Sequence, residues 1–242
     1  MISERDLLAF WEVGLTKPLI ERSLLLVSLS HPSHNLSQIA KMPIGERDAR
    51  LLEIREELFG PVFNNATNCP QCKKKMEWEM TVDAIRLKPN LSPINAELYS
   101  LEYDGNLIQF RLPNTTDIME VMALEKGVSK EEVLLKKCIA PGSLPTAYSD
   151  KMPEAFENAF AQKMEEYDPQ SDIKMAILCP VCGHNWDMIF DIMSYLWSEI
   201  EDWATHLLQD IFLLAKNFGW SENDILEMGS FRRGLYLKML YG

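Results

Sequence analysis

Four of the five cysteines in this 242-residue chain stand in two matching Cys-Pro-x-Cys motifs, at residues 69–72 and 179–182. A Cys-x-x-Cys turn brings two thiolates to one point, and two such turns complete a tetrahedral coordination sphere that leaves no open position. The expected ligands are Cys69, Cys72, Cys179 and Cys182. The spacing therefore predicts one structural Zn²⁺ ion per chain, although 106 residues separate the two motifs and a zinc ribbon normally has a much shorter loop.

Other interpretations of the cysteines remain open at this point. They could be buried or redox-active thiols that never meet, although neither motif stands in the strand-to-helix context of a thioredoxin-type pair. His184 could replace a thiolate or leave room for a water, which would make the site reactive. Gly183 suits the positive φ expected after the second motif, whereas Lys73 at the equivalent position tolerates it less well. Cys138 is predicted to be a core residue of a helix.

Catalytic motifs are missing from the sequence. It contains no Gly-rich phosphate loop and no HExxH, GxSxG or kinase-type motif. Of the four histidines, His31 and His34 flank a proline in a turn and His206 lies on an amphipathic helix, where solvated or capping roles are expected. We therefore predict that the protein is not an enzyme.

The charge balance restricts the possible partners. Asp and Glu outnumber Lys and Arg by 36 to 24, for a net charge of −12, so the average surface repels nucleic acid. The basic run at residues 73–75 leaves a zinc-ribbon nucleic-acid or transcription-associated module as the alternative function. No apolar run approaches the roughly 20 residues that span a bilayer, and residues 1–5 lack the features of a signal peptide. The sequence thus predicts a cytoplasmic protein without membrane insertion.

The elements that must position the cysteines follow from hydrophobic periodicity and turn residues. We predict an N-terminal helical region at 1–60, the first zinc-ribbon half with a small sheet at 61–112, and a helical insertion at 113–175. The second ribbon half follows at 176–195, with a strand near Trp186 matching one near Met76, and a C-terminal helical region at 196–242 completes the chain. The predicted fold class is therefore α+β and predominantly α-helical, with a small β zinc ribbon split by a helical insertion.

Several motifs carry a family resemblance. They are Pro43-Ile44-Gly45-x-Arg47-Asp48, Cys179-Pro-Val-Cys-Gly-His184, Leu196-Trp197-Ser-Glu199-Ile200, Phe218-Gly219-Trp220-Ser221 and Arg232-Arg233-x-x-Tyr236-Leu237. Together they resemble the baseplate hub assembly proteins of contractile-tailed phages and related contractile injection systems. The resemblance implies hub or spike proteins as partners and a cytoplasmic role in building the hub, either as a chaperone that leaves or as a minor subunit that stays in the particle.

Aromatic residues crowd into the C-terminal region. Because aromatic and arginine side chains dominate interface hot spots, we predict that Trp220, Arg232, Arg233 and Tyr236 form a partner-binding patch on the two short final helices. The alternative is that these aromatic residues only anchor the helices to the core.

Overall fold

Helices carry most of the described chain, and the strands form three separate hairpins. The computed structural model describes residues 2–87 and 98–241. The helices are α1 (Glu4–Gly14), α2 (Leu19–Ser30), α3 (Leu36–Lys41), α4 (Ile44–Phe59), α5 (Val82–Ile85), α6 (Thr115–Met122), α7 (Lys130–Cys138), α8 (Glu154–Tyr167), α9 (Ile192–Phe218), α10 (Glu222–Leu226) and α11 (Ser230–Tyr241). The strands are β1 (Val62–Asn68), β2 (Lys75–Thr81), β3 (Tyr99–Tyr103), β4 (Asn106–Phe110), β5 (Lys174–Leu178) and β6 (Asn185–Ile189). This confirms the predicted α+β, predominantly helical fold class.

Contacts between residues divide the chain into two units. The terminal unit comprises Met1–Arg22 and Met193–Gly242, and the central unit is Ser23–Ile192. The finer division into five segments stays a prediction, and residues 1, 88–97 and 242 of those segments lie outside the described residues. In the described part of the chain, no helix is both long and apolar enough to span a membrane.

The terminal unit is built on the apolar stripe of α9. Leu8 of α1 packs with buried residues of α9 and with Ile225 of α10. Two residues further along α1, the Phe10 ring meets the Trp197 ring of α9 edge to face, with centroids 6.0 Å apart. Gly14 is required there, because a Cβ at this position would lie 2.6 Å from the Trp197 ring.

One core of the central unit lies between the β3–β4 hairpin and helices α7 and α8. Its buried residues are Ile108, Phe110, Leu112, Leu135, Cys138, Ile139, Met152, Phe156, Phe160 and Met164. Asp104 (φ 49°) and Gly105 (φ 71°) form the two-residue turn between β3 and β4, as a hairpin with two positive φ values requires. The helical segment after this hairpin is thus packed back onto it.

A buried contact ties α4 to the segment that leads into β5. The amide of Gly45 donates to Oδ2 of Asp168 at 2.9 Å, and a Cβ at Gly45 would lie 1.8 Å from Oδ1 of the same carboxylate. Burial raises the pKa of Asp168, and the hydrogen bond from Gly45 opposes that rise. This contact therefore fixes the N-terminal end of α4 against the segment that precedes β5.

Candidate metal centre

Each Cys-Pro-x-Cys motif lies at the tip of an antiparallel hairpin. In the first hairpin β1 pairs with β2, and the last pair before the turn is Asn68 with Lys75. In the second hairpin β5 pairs with β6, and the last pair is Leu178 with Asn185. The strands after the motifs were predicted, near Met76 and near Trp186. The strands before them, β1 and β5, were not predicted.

The first turn is closed by two backbone hydrogen bonds. The amide of Cys69 donates to the carbonyl of Lys74 at 2.9 Å, and the amide of Lys73 donates to the carbonyl of Cys69 at 2.9 Å. Lys73 has a φ of 61°, which is unusual for a residue other than glycine. The conformation that was expected to suit glycine is therefore adopted here by a lysine.

The second turn repeats this arrangement. The amide of Cys179 donates to the carbonyl of His184 at 2.8 Å, and the amide of Gly183 donates to the carbonyl of Cys179 at 3.0 Å. Gly183 has a φ of 72°. The two motifs thus present their thiols from equivalent backbones.

The four sulfurs converge. Sγ of Cys69 lies 3.7 Å from Sγ of Cys182, Sγ of Cys72 lies 3.7 Å from Sγ of Cys179, and all four atoms lie within 4.8 Å of one another. A tetrahedral site with metal–sulfur bonds of about 2.3 Å has edges of about 3.8 Å. The cysteines are free thiols, so the cluster has the size and donor set of a four-thiolate metal site. Within residues 2–87 and 98–241 no second group of His, Cys, Asp and Glu side chains converges in this way.

Local hydrogen bonds favour the thiolate forms of Cys179 and Cys182, but only for Cys179 do they outweigh the opposing effects. The amide of Cys182 and, after it, the amide of Val181 donate to Cys179 and lower the pKa of its thiol to about 7, against the effect of burial. The His184 amide favours the thiolate of Cys182, but burial and the three neighbouring sulfurs outweigh it and raise this pKa to about 12. Four adjacent thiolates repel one another, and a divalent cation would remove that repulsion.

The other candidate residues of this region have different surroundings. His184 is not part of the converging group, and its ring stacks on Trp186 with centroids 5.6 Å apart. Cys138 lies in the core of the central unit, where burial raises its pKa to about 12. Its placement agrees with the predicted core role. The converging sulfurs therefore come only from the two motifs.

The four residues of the predicted partner-binding patch lie in different environments. Arg233 is buried, donates to the carbonyl of Met228 at 2.7 Å and pairs with Glu4 at 2.7 Å. Trp220 and Tyr236 are half-buried, and their rings meet edge to face with centroids 4.8 Å apart. Arg232 is exposed. Arg233 thus holds α11 to α1, and the role of the patch in partner binding stays a prediction.

Comparison with protein families gives a match within the central unit, on both sides of the first cysteine motif. The family model described as T4 bacteriophage base plate protein matches residues 26–141, just under half of the chain. No curated protein and no solved structure matches the chain. The matched segment contains Cys69 and Cys72 but not Cys179 and Cys182. The match supports a structural or assembly role related to a phage baseplate.

Proposed function

We propose that this chain is a non-enzymatic, zinc-stabilised assembly factor or minor structural subunit of the baseplate hub in a contractile phage tail or contractile injection system. The observation that carries the proposal is the match of residues 26–141 to a phage baseplate family. Such a role needs surfaces that hold hub or spike proteins and a scaffold that keeps those surfaces in place. Assembly then takes place in the cytoplasm, and the protein either leaves the finished particle or stays in it.

Zinc is the metal that the donor set favours. Four thiolates at the corners of a tetrahedron are typical of Zn²⁺ in structural sites. Cys69, Cys72, Cys179 and Cys182 supply all four positions, so no position is left for a water or a substrate. The metal would join two hairpins whose turns are distant in sequence, and its role in this proposal is stability.

Co-purification from cells that produce the complete tail machine tests the proposed function. A tagged copy of the chain should recover baseplate hub or spike proteins, and fractionation should show whether it is found in free complexes, in finished particles or in both. Deleting the gene should block formation of the baseplate while leaving heads and other components intact. Normal baseplates in the deletion strain would refute the proposal.

A binding assay separates this proposal from the zinc-ribbon alternative. The lysines at residues 73–75 are exposed beside the metal cluster, and a module that grips phosphates would use them. The net charge of −12 opposes that role. We expect labelled DNA and RNA duplexes to show no binding at 150 mM salt, whereas salt-dependent binding that is lost when residues 73–75 are alanine would favour the alternative.

A further inference from the structure

The last helix carries an apolar stripe that faces away from its own unit. Phe231, Leu235 and Met239 recur every four residues of α11, which places them on one face of the helix. Their exposed fractions are 81%, 40% and 71%. Leu237 and Tyr236 lie on the other side of the helix, where they pack against the core of the terminal unit. The outward stripe is therefore distinct from the residues that hold α11 in place.

Cations border this stripe on both sides. On a helical wheel Arg232 lies at one edge and Lys238 at the other, and both side chains are exposed. Neither has an ion-pair partner within the described part of the chain. Residues 228–242 contain no Asp or Glu, although the whole chain has a net charge of −12. The outward face of α11 is thus locally positive and apolar in an acidic protein.

We propose that this face, made of Phe231, Arg232, Leu235, Lys238 and Met239, docks into an apolar groove rimmed by carboxylates on another baseplate protein. An amphipathic helix that presents anchors at every fourth residue is the usual ligand of such a groove. The two unpaired cations supply charge complementarity to acidic rims, which sets orientation and partner choice. This inference rests on the proposed function and names the surface that serves it. Of the four residues that the sequence predicted to bind a partner, the proposed face contains only Arg232.

Other occupants fit the face less well. A second copy of the chain brings a further net charge of −12, so two copies repel each other. An anionic membrane would attract Arg232 and Lys238, but stable membrane binding by a short amphipathic helix depends on many cations near the surface. Two unpaired cations in an otherwise acidic protein favour a protein groove.

The test uses the full-length chain and purified, tagged baseplate proteins from the same tail system as probes. We expect the wild type to bind one of them, and the double variant Phe231→Ser with Met239→Ser to bind it at least ~tenfold more weakly, as loss of interface anchors does. The variant Arg232→Glu with Lys238→Glu should weaken binding to a similar extent and reverse its dependence on salt, because salt screens the repulsion between the new carboxylates and the acidic rims. All variants should melt at the wild-type temperature, because these side chains are exposed.

Matched controls lie on the central unit. Met122 is 61% exposed on α6, so Met122→Ser imitates the loss of an exposed methionine. Lys126→Glu with Lys151→Glu changes the net charge as much as the α11 charge variant does, and both lysines are exposed. Both controls should bind like the wild type.

Four results would overturn the docking proposal. Wild-type binding that survives both α11 variants would remove the surface but leave the proposed function intact, whereas a wild type that binds no baseplate protein would refute both. Concentration-dependent dimerisation that the α11 variants abolish would identify a second copy as the occupant. Binding to phosphatidylglycerol vesicles that the same variants abolish, in the absence of a protein partner, would identify a membrane.

Discussion

The β1–β2 and β5–β6 hairpins end in turns with the same hydrogen bonds, but they are supported differently. Arg55 of α4 holds the start of the first hairpin: it donates to the carbonyls of Gly60 at 2.5 Å and Val62 at 2.7 Å. Its guanidinium also lies 3.9 Å from the centre of the Phe63 ring. The second hairpin is followed by Phe190, whose ring meets the Phe63 ring of the first hairpin edge to face, with centroids 5.4 Å apart. Equivalent turns therefore have different supports, and we expect the second hairpin to depend more on a bound metal.

Loss of a metal ligand should have the largest effect on stability. The effect should be equally large whether the ligand comes from the first hairpin or from the second. Purified protein should contain one zinc per chain, and either Cys72→Ser or Cys179→Ser should lose it, because a structural zinc supplies on the order of 10 kcal/mol of folding free energy. Elemental analysis and thermal melting measure both effects. Cys138→Ala is the control and should keep its zinc. A variant pair in which only one member loses the metal would show that the hairpins do not share one ion.

Removing the metal without mutation should reveal the difference in support between the two hairpins. In hydrogen exchange with and without a chelator, we expect the amides of β5 and β6 to lose more protection than those of β1 and β2, which Arg55 and α4 still hold. Lowering the pH should have the same effect as the chelator, since protonation of the thiolates releases the metal. Equal loss of protection in both hairpins would contradict the difference in support.

Removing the ring that joins the two hairpins should have a smaller effect than removing the metal. Phe63 is fully buried, so Phe63→Ala should lower the free energy of unfolding by about 4 kcal/mol, which is typical of a large core truncation. Phe63→Leu keeps most of the volume and is the matched control. Urea unfolding measures the loss, and a change below about 1 kcal/mol would show that Phe63 is not a shared support.

Exchanging the residues after the motifs should change stability by about 1 kcal/mol, in opposite directions. Lys73→Gly relieves the positive φ of a side-chain-bearing residue and should stabilise the protein by about 0.5–1 kcal/mol. Gly183→Lys should destabilise it by about 1 kcal/mol through φ alone, because nothing lies within 4 Å of a Cβ at that position. Urea midpoints of the zinc-bound proteins provide the measurement. Changes of the same sign would mean that the turns are not equivalent.

The smallest effect on the free energy of unfolding is expected at the exposed positions where the residues of the two hairpin tips differ. Leu178 and Val181 are 65% and 63% exposed, and Asn68 and Gln71 occupy the equivalent positions of the first hairpin. Leu178→Asn with Val181→Gln should change the free energy of unfolding by less than about 0.5 kcal/mol. A larger loss in thermal melting would show that these apolar residues support the metal site from outside.

The sequence predicted the parts of the site that depend on local spacing. The Cys-Pro-x-Cys motifs identified the four converging sulfurs. Strand β1 was missed because its sequence, Val-Phe-Asn-Asn-Ala-Thr-Asn, is rich in asparagine, which is depleted in strands. Its alternating burial, with Phe63 and Asn65 inward, comes from packing that the sequence does not display.

Contacts between distant segments lay beyond sequence reasoning. Arg233 pairs in the terminal unit with Glu4, 229 positions away, a contact that the sequence does not display, and its predicted role in partner binding stays a prediction. The positive φ of Lys73 is a different case, because the hydrogen bonds that close the turn join neighbouring residues. The motif predicted the conformation at this position, although the residue type disfavours it.

The distance in sequence between the two cysteine motifs also sets an order of events during synthesis. Cys69 and Cys72 leave the ribosome long before Cys179 and Cys182, and at roughly 5–20 residues per second the wait lasts on the order of 5–20 s. During that interval the nascent chain can offer a metal only two of the four thiolates, while the segment between the motifs has time to fold. Closure of the site is therefore a late step, and a chain that stalls or is cleaved before Cys182 never acquires the complete metal site.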